Sequence, residues 1–203
     1  MSKFIQIELS RLNPRVLQVL TQENTIFAYP GETGYSLACS IYDQKSLEKI
    51  TKLRNLSKNH NFTICCSDIK IAAKYANIDN KAFKFIKNNT PSSTTFILPA
   101  TNLTPKKLSN KKRKTLGVRI SKNPLDQAIV NLFNGAFIST SCVNEQETND
   151  IYISAENINT LFSGQIDYII KTTEVKLMNP STIIDCSINE YAILREGADK
   201  VTL

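Results

Sequence analysis

Short apolar runs alternate with longer amphipathic segments along most of the chain. Runs rich in β-branched and aromatic residues predict eight strands, at residues 25–30, 62–66, 94–98, 115–120, 136–140, 166–170, 182–185 and 191–194. Most of these runs are continuously apolar, which is typical of strands that are covered on both faces. Strands that alternate with helical segments predict an α/β domain whose mixed, twisted sheet is flanked by helices.

The segments between the strands carry the start signals of helices. "DQKSLEKITKLR" begins with a capping residue, Asp43, and "SDIKIAAKYA" begins with Ser67. "NPLDQAIVNLF" has Pro124 at the first helical position, where a missing N–H costs little. "NKAFKFIKNN" and "SAENINTLF" complete the set of predicted helices. No repeat or linker interrupts the chain, so we expect one domain over residues 1–203, with its core at about 15–200.

Composition restricts the class of protein further. No apolar run approaches the length of a membrane span, and the N-terminus carries charges throughout, unlike a signal peptide. The chain has 5 cysteines with no CxxC spacing, which argues against a disulfide framework and against a structural zinc site. We therefore expect a cytoplasmic protein. The adjacent Cys65 and Cys66 are predicted to be buried apolar residues rather than reactive thiols.

The positive charge is concentrated in the middle of the chain. Residues 81–125 hold 11 basic residues and no acidic ones, whereas residues 126–203 hold 4 basic and 11 acidic residues. Such a segment attracts polyanions, including phosphates, RNA and DNA. The alternative is a lysine-rich surface that is only solvated. The densest part predicts an RNA-binding set of Lys106, Lys107, Lys111, Lys112, Arg113 and Lys114.

Several common catalytic motifs are absent from the sequence. The 6 glycines form neither GxxxxGK[ST] nor GxGxxG, and there is no GxSxG motif. A chain with 1 histidine cannot build a histidine-rich metal site, so no metal ligand is expected from the protein side chains. His60 is favoured as a hydrogen-bonding loop residue over a general base. An enzyme with this sequence would work by positioning and electrostatics rather than by a side-chain nucleophile.

Some segments are richer in hydroxyls, cations and turn residues than a core requires. They are "AYPGETGYSLAC" (28–39), "TKLRNLSKNHNFTI" (51–64), "GVRI" (117–120), "ISTSCVNE" (138–145), "NPSTIID" (179–185) and "LREG" (194–197). Arg119 is the most informative residue, because an arginine inside an apolar strand is costly unless it meets an anion.

In this order the segments resemble the YrdC-like family, the threonylcarbamoyl-AMP synthases that act in tRNA modification. The family pattern YPTDTVYGLGC, KxRP, PGPxTxxLP, xVRxP, STSAN, PSTIVD and RxG corresponds here to "YPGETGYSLAC", "KLRN", "TPSSTTFILPA", "GVRIS", "STSCV", "PSTIID" and "REG". "HNFTICCSDI" and "KRKTLGVRISKNP" are similar to the YciO subgroup. The chain departs from the synthase pattern at Gly31, where the family has threonine, at Asn55, where it has proline, and at Val143, where it has asparagine.

The resemblance implies an open sheet with a concave basic cleft, and a reaction that joins L-threonine, bicarbonate and ATP into threonylcarbamoyl-AMP and pyrophosphate. Magnesium would be held mainly by the ATP phosphates. tRNA or double-stranded RNA and other tRNA-modification proteins are the implied macromolecular partners. The alternative is a YciO-type RNA- or nucleotide-binding protein with weak or different catalysis. The implied catalytic residues are Lys52 and Arg54. The implied nucleotide-binding set is Lys52, Arg54, Ser139, Ser141, Ser181 and Arg195. The implied threonine-binding set is Thr33, Tyr35 and Arg119.

Overall fold

A computed structural model describes residues 2–7, 13–57, 59–142, 154–172 and 179–203. Within these ranges ten strands form one sheet. The strands are β1 (Lys3–Ile7), β2 (Phe27–Gly31), β3 (Gly34–Cys39), β4 (Thr63–Cys66), β5 (Thr95–Pro99), β6 (Thr115–Arg119), β7 (Ala136–Ser141), β8 (Tyr168–Thr172), β9 (Ile183–Asp185) and β10 (Ala192–Arg195). The helices are α1 (Pro14–Leu17), α2 (Gln44–Leu53), α3 (Ile69–Tyr75), α4 (Asn80–Asn88), α5 (Pro124–Leu132) and α6 (Ala155–Leu161).

The sheet is open and mixed, as predicted. Its order is β1-β8-β2-β3-β7-β4-β6-β5-β9-β10, with β1 and β10 at the edges. β8 pairs in parallel with both β1 and β2, and β4/β6 and β5/β9 are also parallel. The pairs β2/β3, β3/β7, β4/β7, β5/β6 and β9/β10 are antiparallel. Strands that are distant in sequence therefore meet at the centre of the sheet.

All eight predicted strands are present, but two further strands were not predicted. β1 lies at one edge of the sheet. β3 forms a hairpin with β2, in which Gly31 faces Gly34 and Tyr29 faces Ser36. The glycines and hydroxyls of this segment indicate a loop when they are taken alone. Pairing of β3 with β7 on its other side overrides that local preference.

The two faces of the sheet are covered to different extents. The first face packs against α2, α3, α4 and α6 in an apolar core that extends from β2 to β9. The second face has a smaller core, in which α1 and α5 cover residues of β1, β2, β3, β4, β7 and β8. This second core contains no residue of β5, β6 or β9. One half of the second face is therefore left without helical cover within the described residues.

The helix starts follow local capping chemistry. The Asp43 side chain accepts a hydrogen bond from the Ser46 N–H, as its predicted role requires. α3 is capped by Asp68, whose side chain accepts from the Ile71 N–H, so the prediction of Ser67 was wrong by one residue. Ser67 instead donates its hydroxyl to the Asp68 carboxylate. α5 begins at Pro124, as predicted.

The cysteines are buried, which confirms the prediction for Cys65 and Cys66. All five are free and buried, and burial raises the pKa of the Cys65 thiol to about 12. Neutral thiols in such surroundings behave as small apolar residues. Among the residues that the structure describes, no helix is long and apolar enough to cross a membrane.

Candidate functional site

A polar cleft occupies the uncovered half of the second face. Its volume is about 270 Å³. Alternation along the strands explains its chemistry, because Leu116 and Val118 of β6 enter the first core while Arg119 faces the cleft. The lining residues are Thr33, Ser36, His60, Asn61, Thr63, Thr95, Ile97, Arg119, Ser139, Thr140, Ser141, Pro180, Ser181, Ile183, Leu194 and Arg195. This set contains two arginines and no carboxylate, so the described lining of the cleft is electropositive.

Arg119 is the central cation of the cleft. Its side chain is buried, at 8% exposure, and its Nε and Nη2 donate to the Thr95 hydroxyl at 3.2 and 2.9 Å. No carboxylate of the described residues lies within ion-pair distance of it. A hydroxyl fixes the orientation of the guanidinium but leaves its charge uncompensated. An arginine held in this way is suited to a ligand carboxylate or phosphate, which accepts two parallel hydrogen bonds.

A glycine of β6 leaves room for two threonine side chains at the floor of the cleft. Gly117 lies between β4 and β5, and a Cβ atom at this position would meet Thr63 Oγ1 at 2.8 Å and Thr95 Cγ2 at 2.9 Å. Any larger residue would push the two threonines apart. Thr95 is the residue that orients Arg119, so the glycine indirectly preserves the position of the cation.

A second arginine, Arg195, also lines the cleft. Arg195 of the edge strand donates from Nε to the Ser181 carbonyl at 2.9 Å and from Nη2 to the Ser181 hydroxyl at 2.8 Å. Both residues line the cleft. The two segments "PSTIID" and "LREG" are thus joined, although 14 positions separate the paired residues.

The β7 end of the cleft consists of hydroxyls. Ser139 and Ser141 both line it, and Ser141 pairs in register with Ser36 of β3. The Ser139 hydroxyl lies 2.9 Å from the Tyr29 hydroxyl, at the boundary between the cleft and the second core. These groups donate and accept without a net charge, so they suit the hydroxyl and phosphate oxygens of a ligand.

Beneath the cleft lies a buried acid that the sequence did not single out. Asp126, in the first turn of α5, is 1% exposed, and its Oδ1 has no hydrogen-bond partner among the described residues. Burial raises the pKa of Asp126 to about 6, against the opposing effects of the Ser121 hydroxyl and the Arg119 charge. Glu32 adds to the rise. Asp126 is therefore an ionisable group behind the wall that carries Arg119.

The cleft contains residue types that the resemblance to the YrdC-like family implies, and comparison with known proteins decides whether the chain belongs to that family. The Sua5/YciO/YrdC family model, whose description reads "Telomere recombination", matches residues 19–197. The chain belongs to the Sua5/YciO/YrdC family. It is 33% identical over 207 residues to the uncharacterized protein YciO of Escherichia coli, covering 99% of this chain and 98% of that protein. It is 22% identical over 179 residues to the threonylcarbamoyl-AMP synthase of Cellvibrio japonicus, covering 86% of this chain and 92% of the synthase.

Solved structures agree with this assignment. The crystal structure of Escherichia coli YciO superposes with a TM-score of 0.91 at 32% identity and covers 98% of both chains. Sua5 of P. abyssi complexed with L-threonine superposes with a TM-score of 0.83 at 20% identity, covering 97% of this chain and 57% of that one. The Sua5 match shows the shared fold, whereas the YciO match extends over nearly the whole length of both proteins.

Six of the residues predicted from the family pattern come together in the cleft. Most of them are distant in sequence and are assembled by the central strands. They are Thr33, Arg119, Ser139, Ser141, Ser181 and Arg195. Their roles toward threonine and nucleotide remain predictions.

Tyr35 requires a correction. Its side chain points to the first face of the sheet, where it is 2% exposed, and its hydroxyl donates to the Ile170 carbonyl at 2.8 Å. The strand alternation that turns Ser36 into the cleft turns Tyr35 away from it. Burial raises the pKa of the Tyr35 hydroxyl above its ordinary range. Tyr35 is a core residue and does not line the cleft.

The predicted phosphate cations Lys52 and Arg54 lie beside the cleft rather than in its lining. Lys52 is exposed on the last turn of α2, and Arg54 is half-buried at the C-terminal end of that helix. Lys52 lines a neighbouring cavity of about 340 Å³, the lysine pocket. The lysine pocket is formed by Leu47, Glu48, Thr51, Lys52, Ser57, His60, Phe62, Lys107, Ser109 and Lys111. His60 lines both cavities and therefore connects them.

The structure describes two of the three positions at which the chain departs from the synthase pattern. Asn55 adopts a φ of 48°, which a proline at this position could not adopt. A Cβ atom at Gly31 would lie in ordinary contact with its neighbours, including Asp126 Oδ1 at 3.8 Å, so the local space does not require glycine. Val143 lies outside the described residues.

His60, Asn61, Thr63 and Thr95 line the cleft although they were not predicted as site residues. His60 had been favoured as a loop residue, and it does lie in a loop, with its ring edge-on to Phe62 at a centroid distance of 5.1 Å. The signal that could have found Thr63 and Thr95 is a polar residue within an apolar strand. The same signal had already singled out Arg119.

The basic segment 106–114 borders the lysine pocket. All six of its predicted RNA-binding cations are exposed. Lys107 pairs with Glu48, and Arg113 donates to Asp185 Oδ2 and to the Ser187 hydroxyl, each at 2.6 Å. Although burial opposes it, hydrogen bonding from Ser187 and Arg113 holds the pKa of Asp185 below its ordinary value. Within residues 106–114, all of which the structure describes, the cations without an ion-pair partner are Lys106, Lys111, Lys112 and Lys114.

Arg113 is therefore expected to act as a tether of this segment to β9. Replacing Arg113 with alanine should lower the free energy of unfolding by about 1–2 kcal/mol, because it removes hydrogen bonds to a largely buried carboxylate. Replacing the adjacent Lys112 should change stability by less than about 0.5 kcal/mol. Urea unfolding of both variants tests this difference. Equal stabilities would contradict the assignment of Arg113 as a structural residue.

Proposed function

We propose that this protein condenses L-threonine, bicarbonate and ATP into threonylcarbamoyl-AMP, with release of pyrophosphate and water. The observation that carries the proposal is Arg119, a buried cation that lines an electropositive cleft and is oriented by Thr95 without a carboxylate partner among the described residues. Support comes from membership of a family that includes a threonylcarbamoyl-AMP synthase and a Sua5 protein crystallised with L-threonine.

The amino acid would bind at the Arg119 end of the cleft. Its carboxylate accepts two hydrogen bonds from the guanidinium, and Thr33 lies along the same wall. In this arrangement the threonine amine is left to attack the carbon of bicarbonate, and loss of water gives a carbamate. The resulting carbamate oxygen then attacks the α-phosphorus of ATP, and pyrophosphate departs. The protein contributes orientation and positive charge rather than a covalent intermediate.

The nucleotide would occupy the other end of the cleft. Ser139, Ser141 and Ser181 supply hydroxyls, and Arg195 supplies a charge that Ser181 holds in place. Lys52 stands at the neighbouring lysine pocket, where it can approach the leaving pyrophosphate. The described lining offers hydroxyl and amide oxygens without a carboxylate, so Mg²⁺ would be held by phosphate oxygens and water. A cytoplasmic enzyme with free thiols is consistent with these substrates.

A pyrophosphate-release assay tests the proposal. We expect release that requires both L-threonine and bicarbonate, and that exceeds the background of ATP hydrolysis without them. A variant with Arg119→Met provides the control, because it should lose the threonine-dependent release. Absence of this release at high concentrations of folded protein would overturn the synthase proposal.

The second candidate is an RNA-binding protein, favoured by the exposed lysines 106, 111, 112 and 114. Four lysines that each neutralise one phosphate predict a slope of about −3 to −4 in a plot of log affinity against log salt. Lys112→Ala should make this slope less steep by about one. A slope near zero would exclude a phosphate-binding role for the segment, and would leave the pyrophosphate assay unaffected.

A further inference from the structure

The lysine pocket combines two kinds of surface. Its floor is apolar, since Leu47 and Phe62 are 2% and 4% exposed and both belong to the first core. Its rim is basic, with Lys52 on α2 on one side and Lys107 and Lys111 of the basic segment on the other. A cavity of about 340 Å³ with this composition is large enough for a planar heterocycle.

The floor does not suit a phosphate group. A phosphate requires several donors at close range, whereas the nearby hydroxyl of Thr51 is used within its own helix and donates to the Leu47 carbonyl at 2.7 Å. The Ser57 hydroxyl accepts from the Asn59 N–H at 3.3 Å and keeps one O–H to donate, which is fewer donors than a phosphate needs. Apolar walls, the aliphatic stems of the lysines and the His60 ring favour a flat, weakly polar group.

The rim does suit phosphates. Lys52 and Lys111 have no ion-pair partner among the described residues, while Lys107 pairs with Glu48. Lys106, Lys112 and Lys114 extend the basic surface beyond the pocket. An apolar hole surrounded by lysines matches a base with the sugar-phosphate backbone on either side of it.

We propose that the lysine pocket binds one unpaired nucleobase of an RNA strand whose phosphates contact Lys52, Lys111 and the exposed lysines of residues 106–114. In a duplex the bases are stacked and cannot enter such a pocket, so a loop or a single strand is the expected ligand. The bound base would lie beside the cleft, with His60 between them. This inference rests on the RNA-binding candidate, and its test alters Ser57 and Lys111, which have no role in the proposed synthase site.

The test uses a loop RNA, which is a hairpin with 2-aminopurine in place of an unpaired loop adenine, the same hairpin with the analogue in its stem, and a fully paired RNA of equal length and charge. We expect both hairpins to bind more tightly than the fully paired RNA, with a fluorescence change confined to the loop analogue. Ser57→Leu narrows the pocket without altering charge or adding a stacking surface. It should weaken binding of the loop RNA by about 5- to 100-fold, which corresponds to the loss of one bound base.

Matched controls separate the pocket from the general charge of the protein. Ser163→Leu makes the same change at an exposed turn outside the pocket and should leave binding unchanged. Lys49 is exposed on α2, like Lys52, but lies outside the lining of the lysine pocket. Lys49→Glu should therefore lower the affinity for the loop RNA and for the fully paired RNA less than Lys111→Glu does. Melting temperatures confirm that each variant is folded.

Three outcomes would overturn the inference. One is equal affinity of the native protein for the loop RNA and for a fully paired RNA. Another is an equal loss of affinity for both RNAs in the Ser57→Leu variant, which would show that the substitution disturbs RNA binding in general rather than the binding of an unpaired base. The last is an absence of RNA binding, which would remove the RNA-binding candidate as well, while pyrophosphate release would still report separately on the synthase proposal.

Discussion

Arg119→Met is expected to lower the affinity of the protein for L-threonine by about 10- to 100-fold, the effect of losing hydrogen bonds between a guanidinium and a carboxylate. The fold should tolerate the change, because it removes a buried charge with no described carboxylate within ion-pair distance, although Asp126 attracts it from farther away. Thr95 loses the two hydrogen bonds that its hydroxyl accepts, but it lines the cleft, where water can take their place. The melting temperature should therefore stay the same or rise while binding is lost.

Calorimetry with two ligands makes the test specific. L-threoninol lacks the carboxylate, so native protein should bind it much more weakly than L-threonine, and the variant should bind both equally weakly. Arg119→Lys keeps the charge but not the two-pronged geometry, and should restore only part of the affinity. Lys122→Met removes an exposed charge elsewhere and should have no effect. Equal affinity of the native protein for both ligands would contradict the role of Arg119.

Asp126→Asn is expected to stabilise the protein at neutral pH. The folded state raises the pKa of Asp126 to about 6, chiefly through burial. A carboxyl group whose pKa is raised on folding retains its proton in the folded state, so its contribution to stability is present at low pH and is lost as pH rises through about 6. A shift of about two pKa units corresponds to roughly 3 kcal/mol. Asparagine carries no titrating proton, so the variant does not lose this stability as the pH rises.

Urea unfolding at two pH values measures the effect. At pH 8 the variant should exceed the native protein by about 2–3 kcal/mol, and below pH 4 the two should be nearly equal. Asp185→Asn supplies a control of opposite sign, because hydrogen bonds from Ser187 and Arg113 hold the pKa of Asp185 low. That variant should be less stable than the native protein at pH 8. A variant of Asp126 with no gain at pH 8 would show that the carboxylate has a compensating partner.

Elements governed by local chemistry were predictable from the sequence. Continuous β-branched runs gave the central strands, and Asp43 and Pro124 marked two helix starts within one residue of their positions. The β2–β3 hairpin was missed because its glycines and hydroxyls indicate a loop locally. Its strand character depends on pairing with β7, more than 100 residues away in sequence.

The candidate site was predictable to a similar degree. Arg119 was predicted because an arginine inside an apolar strand is costly unless it meets an anion. The serines and Arg195 were predicted from the family pattern. Tyr35 was misplaced because motif matching gives a position but not the face of the strand. Asp126 was overlooked because nothing in "NPLDQAIV" shows that its first turn packs behind the cleft.

The sequence by itself determined most of the strands and helices, the family, and the chemical types of residue that line the cleft, because these depend on local propensity and on motif order. Only the tertiary structure decided which half of the second face has no helical cover in the described part of the chain. It also decided which basic residues form ion pairs with Glu48 and Asp185, and that His60 lines two cavities. Those features depend on contacts between residues far apart in the chain. For the same reason Arg113 and Lys112, which are neighbours in sequence, receive different roles.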